Sequence, residues 1–103
     1  MKTVDFEILI ATMNRTDLSF LSSMFKEVHY DAYLILIINQ TTKDRLLESP
    51  HKNIRVINSF EKGLSKSRNL ALKHAIGDVC LIADDDVCFT SDFQQRIIEA
   101  YTE

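Results

Sequence analysis

Val79-Cys80-Leu81-Ile82-Ala83-Asp84-Asp85-Asp86-Val87 is an apolar run that breaks directly into three carboxylates. Its length, its β-branched content and its charged end mark a buried parallel strand whose last residues emerge at a sheet edge. Ligands of open α/β sheets bind at that edge. Extended backbone alternates its side chains, so Asp84 and Asp86 are expected on one side and Asp85 on the other. Three adjacent carboxylates repel one another unless a cation or hydrogen-bond donors compensate. Oxygen-only ligands favour a hard cation, Mg²⁺ or Mn²⁺, and Mg²⁺ typically binds through one or two carboxylates plus substrate phosphates. A solvated acidic turn is the plainer alternative. The apolar strand before the acids favours the metal and phosphate.

Outward from this stretch, the chain repeats one pattern. Phe6 to Thr12 reads as a first buried strand, followed by the polar turn Met13-Asn14-Arg15-Thr16-Asp17. Thr16 or Asp17 can cap a helix running to about Glu27, with Leu18, Leu21, Met24, Phe25 and Val28 on its packed face. Tyr33 to Ile38 lacks polar alternation, which predicts a strand covered on both sides. Asp44 to Ser49 predicts a short helix stopped by Pro50, and Ile54 to Ile57 a third strand nearer an edge. Ser65 to Ile76 predicts a helix closed by Gly77, and Ser91-Asp92 can cap a last helix through Tyr101.

Strand-then-helix units joined by short turns predict an α/β fold: an open, mainly parallel sheet of about four strands with helices on both faces. Each strand ends in a polar cluster, Asn14-Arg15, Asn39-Gln40, Asn58-Ser59 and the acids, and such a fold gathers these on one edge. The helix from Ser65 supplies the cationic half. With a buried stripe of Ala71, Leu72, Ala75 and Ile76, Arg68 lies one turn earlier on the same side. A guanidinium there, free backbone N–H groups at the helix start and Gly63 allowing close backbone approach suit a diphosphate.

Composition bounds the rest. A chain of 103 residues, 46% apolar and 26% charged with two glycines and one proline, makes one compact domain over 1–103. A net charge of −3 with no broad basic face argues against nucleic acid as a partner. The longest apolar run, Ala32 to Ile38, is too short to cross a bilayer, and Asp5 and Glu7 spoil a signal-peptide reading, so a cytoplasmic location is expected. Cys80 and Cys88 lack metal-ligand spacing and are expected as buried thiols. His29, His51 and His74 are expected to be solvated.

Together, ILIATMNR, GLSKSRNLALKHAIGD and LIADDD resemble, in that order, the nucleotide-sugar-binding half of a family 2 glycosyltransferase of the GT-A, Rossmann-like fold, with LIADDD in the place of its DXD motif. The resemblance implies transfer of a sugar from a nucleotide-diphosphate donor, a UDP-sugar first with GDP- and dTDP-sugars open, to an acceptor hydroxyl on a glycan or lipid-linked glycan. It puts Asp84 and Asp86 at the outer DXD positions, holding the metal against the diphosphate, with Asp84 and Asp85 also facing substrate. It puts Arg68 on the base or phosphates and Thr12, Asn14 and Arg15 along the base pocket. Asn39 stands where the family usually has an Asp that reads the base, followed by Gln40, and Asp44 matches the acid that closes this motif. Two departures stand out. Met13 replaces an aromatic residue that commonly stacks on the base, and Asn39-Gln40-Thr41-Thr42 replaces an acid-acid-Gly-Ser-like run.

The same resemblance places the general base and the acceptor site in a second half of the fold. The chain is therefore expected to be truncated or a minimal domain, peripheral to the membrane in the full-length protein, with apolar surface beside the fourth strand through which it could pair as a homodimer. A metal-assisted nucleotide-binding module without turnover is the alternative. Aspartyl phosphatases and phosphoryl receivers fit less well: the former carry their acids on the first strand, the latter on several.

Overall fold

The computed structural model describes residues 6–27, 29–30, 33–92 and 95. Four strands and two helices follow in the order β1 (Phe6–Met13), α1 (Phe20–Met24), β2 (Leu34–Gln40), β3 (Ile54–Ser59), α2 (Leu64–His74) and β4 (Val79–Asp84). The strands form one parallel sheet in the order β3-β2-β1-β4, so the predicted α/β architecture is present. The chain steps outward from β1 to β2 to β3, then crosses back to lay β4 on the other side of β1. The switch in winding direction therefore falls between β1 and β4, the place where open sheets leave a crevice.

Period-two alternation explains why β1 and β2 carry no polar face. Ile8, Ile10, Ile35 and Ile37 pack on one side with Phe20, Leu21, Met24 and Phe25 of the α1 region. Leu9, Leu36 and Ile38 pack on the other side with Ala71 of α2. Burying each such side chain contributes about 1.5–3 kcal/mol, and all seven strand residues are at most 1% exposed. Parallel register aligns the strand ends as Thr12 with Asn39, Ala11 with Asp84 and Asn39 with Asn58, so the polar tails do gather on one edge.

Several expectations are corrected. The helix expected from Thr16 to Glu27 is only Phe20–Met24. Asp17 accepts bonds from the Ser19 N–H and hydroxyl, forming a side-chain turn where the helix would have begun. Its end is fixed by the Met24 carbonyl, which accepts the Phe89 N–H at 2.8 Å. Residues 44–49 form a turn and irregular chain instead of a helix. There the Thr41 hydroxyl bonds to the Arg45 carbonyl, and the Asn58 amide takes both the N–H and the carbonyl of Leu47. Those backbone groups are the ones a helix would need.

The helix α2 ends at His74 rather than Ile76, and Gly77 does not close it. Instead the carboxylate of Glu7, 1% exposed, accepts the Ile76 and Gly77 N–H groups, while Arg55 donates to both Glu7 Oε2 and the His74 carbonyl. Its inward stripe is Ser67, Leu70, Ala71 and Ala75, whereas Leu72 and Ile76 are exposed. β4 is half-buried at a sheet edge, not fully buried, and leaves Ile82 and Val87 exposed, as expected for apolar surface on that side. Both cysteines are free, and Cys88 is exposed, not buried, because it lies in the loop after the acids. The three histidines are exposed. Val28 and most of the expected last helix lie outside the described residues; Gln95 is helical. No helix among the described residues is long and apolar enough to cross a membrane.

Candidate functional site

The crevice between β1 and β4 holds a cleft of about 370 Å³. Ala11, Thr12 and Met13 line it from β1, Asp84, Asp85 and Asp86 from the end of β4, Leu64 and Ser67 from α2, and Gln40 from β2. The alternation expected along the acids holds for Asp84 and Asp85: Asp84 turns to Arg68 on the α2 side of the sheet and Asp85 to Thr12 and Arg15 on the α1 side, after which the chain turns, with the Val87 N–H bonding to the Asp84 carbonyl at 3.2 Å. All three acidic residues border the one cleft.

Each acid is held differently. Asp85 Oδ2 accepts the Thr12 hydroxyl at 2.6 Å and Arg15 Nη2 at 3.0 Å, and Arg15 Nε closes the triangle by donating to Thr12 Oγ1 at 3.0 Å. Partial burial works to raise the Asp85 pKa, but the bonds from Thr12 and Arg15 outweigh it and hold the carboxyl below its ordinary value. Asp84 Oδ1 meets Arg68 Nη2 at 3.3 Å. The sequence makes Arg68 the cationic half of the site, and the structure puts it in direct contact with Asp84. Arg68 Nε is buried with no hydrogen-bond partner, so this guanidinium retains an unused donor. Asp86 is exposed and makes no hydrogen bond or ion pair among the described residues.

Arg15 is fixed from three directions. Its backbone N–H and carbonyl both bond to the Asn39 amide, and its guanidinium lies 4.7 Å over the Phe20 ring. The turn entering it uses Asn14 in the left-handed region, at φ 53°, a conformation Asn tolerates. Asp44 accepts the Thr42 hydroxyl at 2.6 Å, and that bond, with help from its own backbone and Arg45, holds its pKa low.

Gly63 precedes α2 at φ 120°. A Cβ there would come no closer than 4.0 Å to Lys66, so within the protein's own described atoms it is the backbone angle that calls for glycine. The Gly63 N–H donates to Gln40 Oε1 at 3.2 Å, tying the start of α2 to the end of β2.

A second cleft of about 360 Å³ adjoins the first and shares Met13 and Gln40 with it. Its remaining walls are Asn14, Thr41, Thr42, Phe60 and Lys62. Met13 and Phe60 are 59% and 53% exposed, an apolar pair open to solvent at the sheet edge. Of the expected site residues, Thr12, Gln40, Asp84, Asp85 and Asp86 line the first cleft and Asn14 the second. Arg15, Gly63 and Arg68 contact cleft residues, and Asn39 lies buried behind them. Sequence reasoning passed over Leu64, Ser67, Phe60 and Lys62. A lone aromatic in the otherwise polar loop Asn58 to Gly63 was the available signal for Phe60, and the helical spacing of Leu64, Ser67 and Ala71 was the signal for the other two.

Residues 7–103 match the protein family described as Glycosyl transferase family 2. The chain belongs to that family. Comparison with curated proteins and with solved structures returned no match. Glycosyl transfer is accordingly the activity of the family whose sheet edge this is.

Proposed function

We propose that this glycosyltransferase domain binds a nucleotide-diphosphate sugar at the C-terminal edge of its sheet, for transfer of the sugar to an acceptor hydroxyl. The observation that carries this reading is the cleft at the strand switch, which three acidic residues and the first turn of α2 line together. The donor set suits a hard divalent cation, Mg²⁺ or Mn²⁺: it is all oxygen, and Asp86 is uncommitted. Among the described residues no three His, Cys, Asp or Glu side chains are grouped to enclose an ion. Diphosphate oxygens and water are then expected to complete the shell, the usual manner of Mg²⁺.

In this reading Asp84 and Asp86 hold the ion, which when bound stabilises the negative charge that develops on the departing diphosphate. Asp85 keeps Thr12 and Arg15 in place at the floor of the cleft. Arg68, whose guanidinium contacts Asp84 beside the cleft, donates to diphosphate oxygens. The adjoining cleft takes the base between Met13 and Phe60, whose apolar faces supply contact that a solvated surface would not. A UDP-sugar is the first assignment.

Isothermal titration of UDP, GDP and dTDP with and without Mn²⁺ tests the reading. Binding is expected to require the metal and to fall at least tenfold in Asp86→Ala, while the stability of that variant stays within about 0.5 kcal/mol of the parent because Asp86 is exposed and has no partner among the described residues. Metal-independent binding that the substitution leaves intact would overturn the assignment.

A further inference from the structure

The side chain that the resemblance assigns to base reading has neither a free donor nor exposed surface for it. Asn39 is fully buried. Its Oδ1 accepts the Arg15 N–H at 3.0 Å, and its Nδ2 donates to the Arg15 carbonyl at 2.9 Å and to Asn58 Oδ1 at 3.1 Å. A primary amide has two N–H donors, so both are spent. Asn58 is committed in turn to both backbone groups of Leu47. Turning Asn39 toward a ligand would leave buried polar groups unsatisfied.

Gln40, one residue on, is the opposite case. Its Oε1 accepts the Gly63 N–H, which settles which end of the amide faces which way. Its Nε2 makes no hydrogen bond among the described residues, and the side chain is half-buried at the junction of the two clefts. Lys62, on the wall of the second cleft, is another donor without an acceptor among the described residues. The side chains free to meet a base edge are thus led by donors. A ring keto group accepts from such an N–H, whereas an amino group at the equivalent ring position presents a second donor.

We propose that Gln40, in place of Asn39, selects the base, and that it favours a keto base (uracil, thymine or guanine) over the corresponding amino base (cytosine or adenine). Asn39 is a positioning residue that holds the backbone of Arg15. The inference rests on the donor-binding reading above and extends it.

Calorimetry with Mn²⁺ tests it by comparing UDP with CDP and GDP with ADP, with inorganic pyrophosphate as a probe lacking a base. The parent protein is expected to bind the keto member of each pair about tenfold more tightly, the size of one hydrogen bond gained against one donor clash. Gln40→Glu keeps an acceptor for the Gly63 N–H but replaces the free donor with an acceptor. It should lower both keto-to-amino ratios about tenfold or more, and the ratio cancels any effect of the added charge on the diphosphate. Gln40→Met, which deletes the donor without adding charge, should bring both ratios near one. Asn39→Asp should weaken all nucleotides and pyrophosphate alike at unchanged ratios.

Ratios that Gln40→Glu and Gln40→Met leave intact, or that Asn39→Asp shifts while pyrophosphate binding stays constant, overturn the proposal. Diphosphate binding without keto preference in the parent overturns the base assignment alone. Absence of any metal-dependent diphosphate binding overturns the donor-binding reading and this inference with it.

Discussion

Asp85 is the carboxylate of the triplet whose surroundings define its protonation most clearly. Its folded pKa lies below the ordinary 3.8, since the Thr12 and Arg15 bonds prevail over partial burial. A depressed carboxylate contributes stability that is fully present above its unfolded pKa and is lost as pH falls through its folded pKa. Asp85→Asn should therefore cost about 1 kcal/mol at neutral pH, a modest figure because a third of the carboxylate is exposed to screening solvent. Urea titrations of parent and variant should differ by a constant amount above about pH 5 and converge as pH drops below the unfolded pKa. A gap that persists in acid would show that the amide fails for some reason other than charge. At this scale the sequence was informative about residue type and less so about partners. Asp84, Asp85 and Asp86 are where a ligand-binding edge requires them, and Asp84 and Asp85 turn to opposite faces as extended backbone demands, but the donors each one meets come from elements distant in sequence. The commitment of Asn39 depends on Asn58, nineteen positions away and visible only once β2 and β3 are paired.

Among elements, α2 matters most, since its first turn faces the cleft and both of its ends are pinned from the sheet. At the start, Gly63→Ala forces an L side chain to φ 120° in otherwise open space, so its cost of about 1–3 kcal/mol should be pure backbone strain. Chemical denaturation should show that loss. At the other end, Glu7→Ala removes the acceptor of two backbone N–H groups and leaves Arg55 without its carboxylate, which should cost about 2–4 kcal/mol. Hydrogen exchange should then show faster opening at Ile76 and Gly77 than at the centre of β2. The strands were legible because each is a short apolar run bounded by polar residues, and β1 and β2 need nothing beyond that pattern. The helices were less so. Their lengths are set by side chains competing for backbone groups, Asp17 on Ser19, Asn58 on Leu47 and Glu7 on Gly77, and such competition leaves little trace in hydrophobic spacing.

For the whole molecule, the decisive fact is the strand order β3-β2-β1-β4, which turns residues distant in sequence into neighbours: Thr12 and Asp85 are separated by 73 positions. Right-handed parallel connection made this gathering predictable in outline, and the helical stripe of α2 carried Arg68 to the acids, whereas its direct bond to Asp84 depends on how α2 lies across the sheet. A ligand that binds only the folded chain raises its melting temperature by mass action. Mn²⁺ with a nucleoside diphosphate at about a hundred times Kd should add about 2.7 kcal/mol of stability, and neither component alone should approach it.

The central claim is spatial, that one cation-dependent site lies at the end of β1 and β4. Paramagnetic broadening of backbone amide signals by Mn²⁺ in the presence of UDP tests it most directly. The account predicts selective loss of signals from Thr12 to Arg15, Leu64 to Arg68 and Ala83 to Val87, with Asn53, Gly77 and Asp78 at the opposite edge unaffected. Broadening centred on that opposite edge, or spread evenly over surface carboxylates, would contradict it.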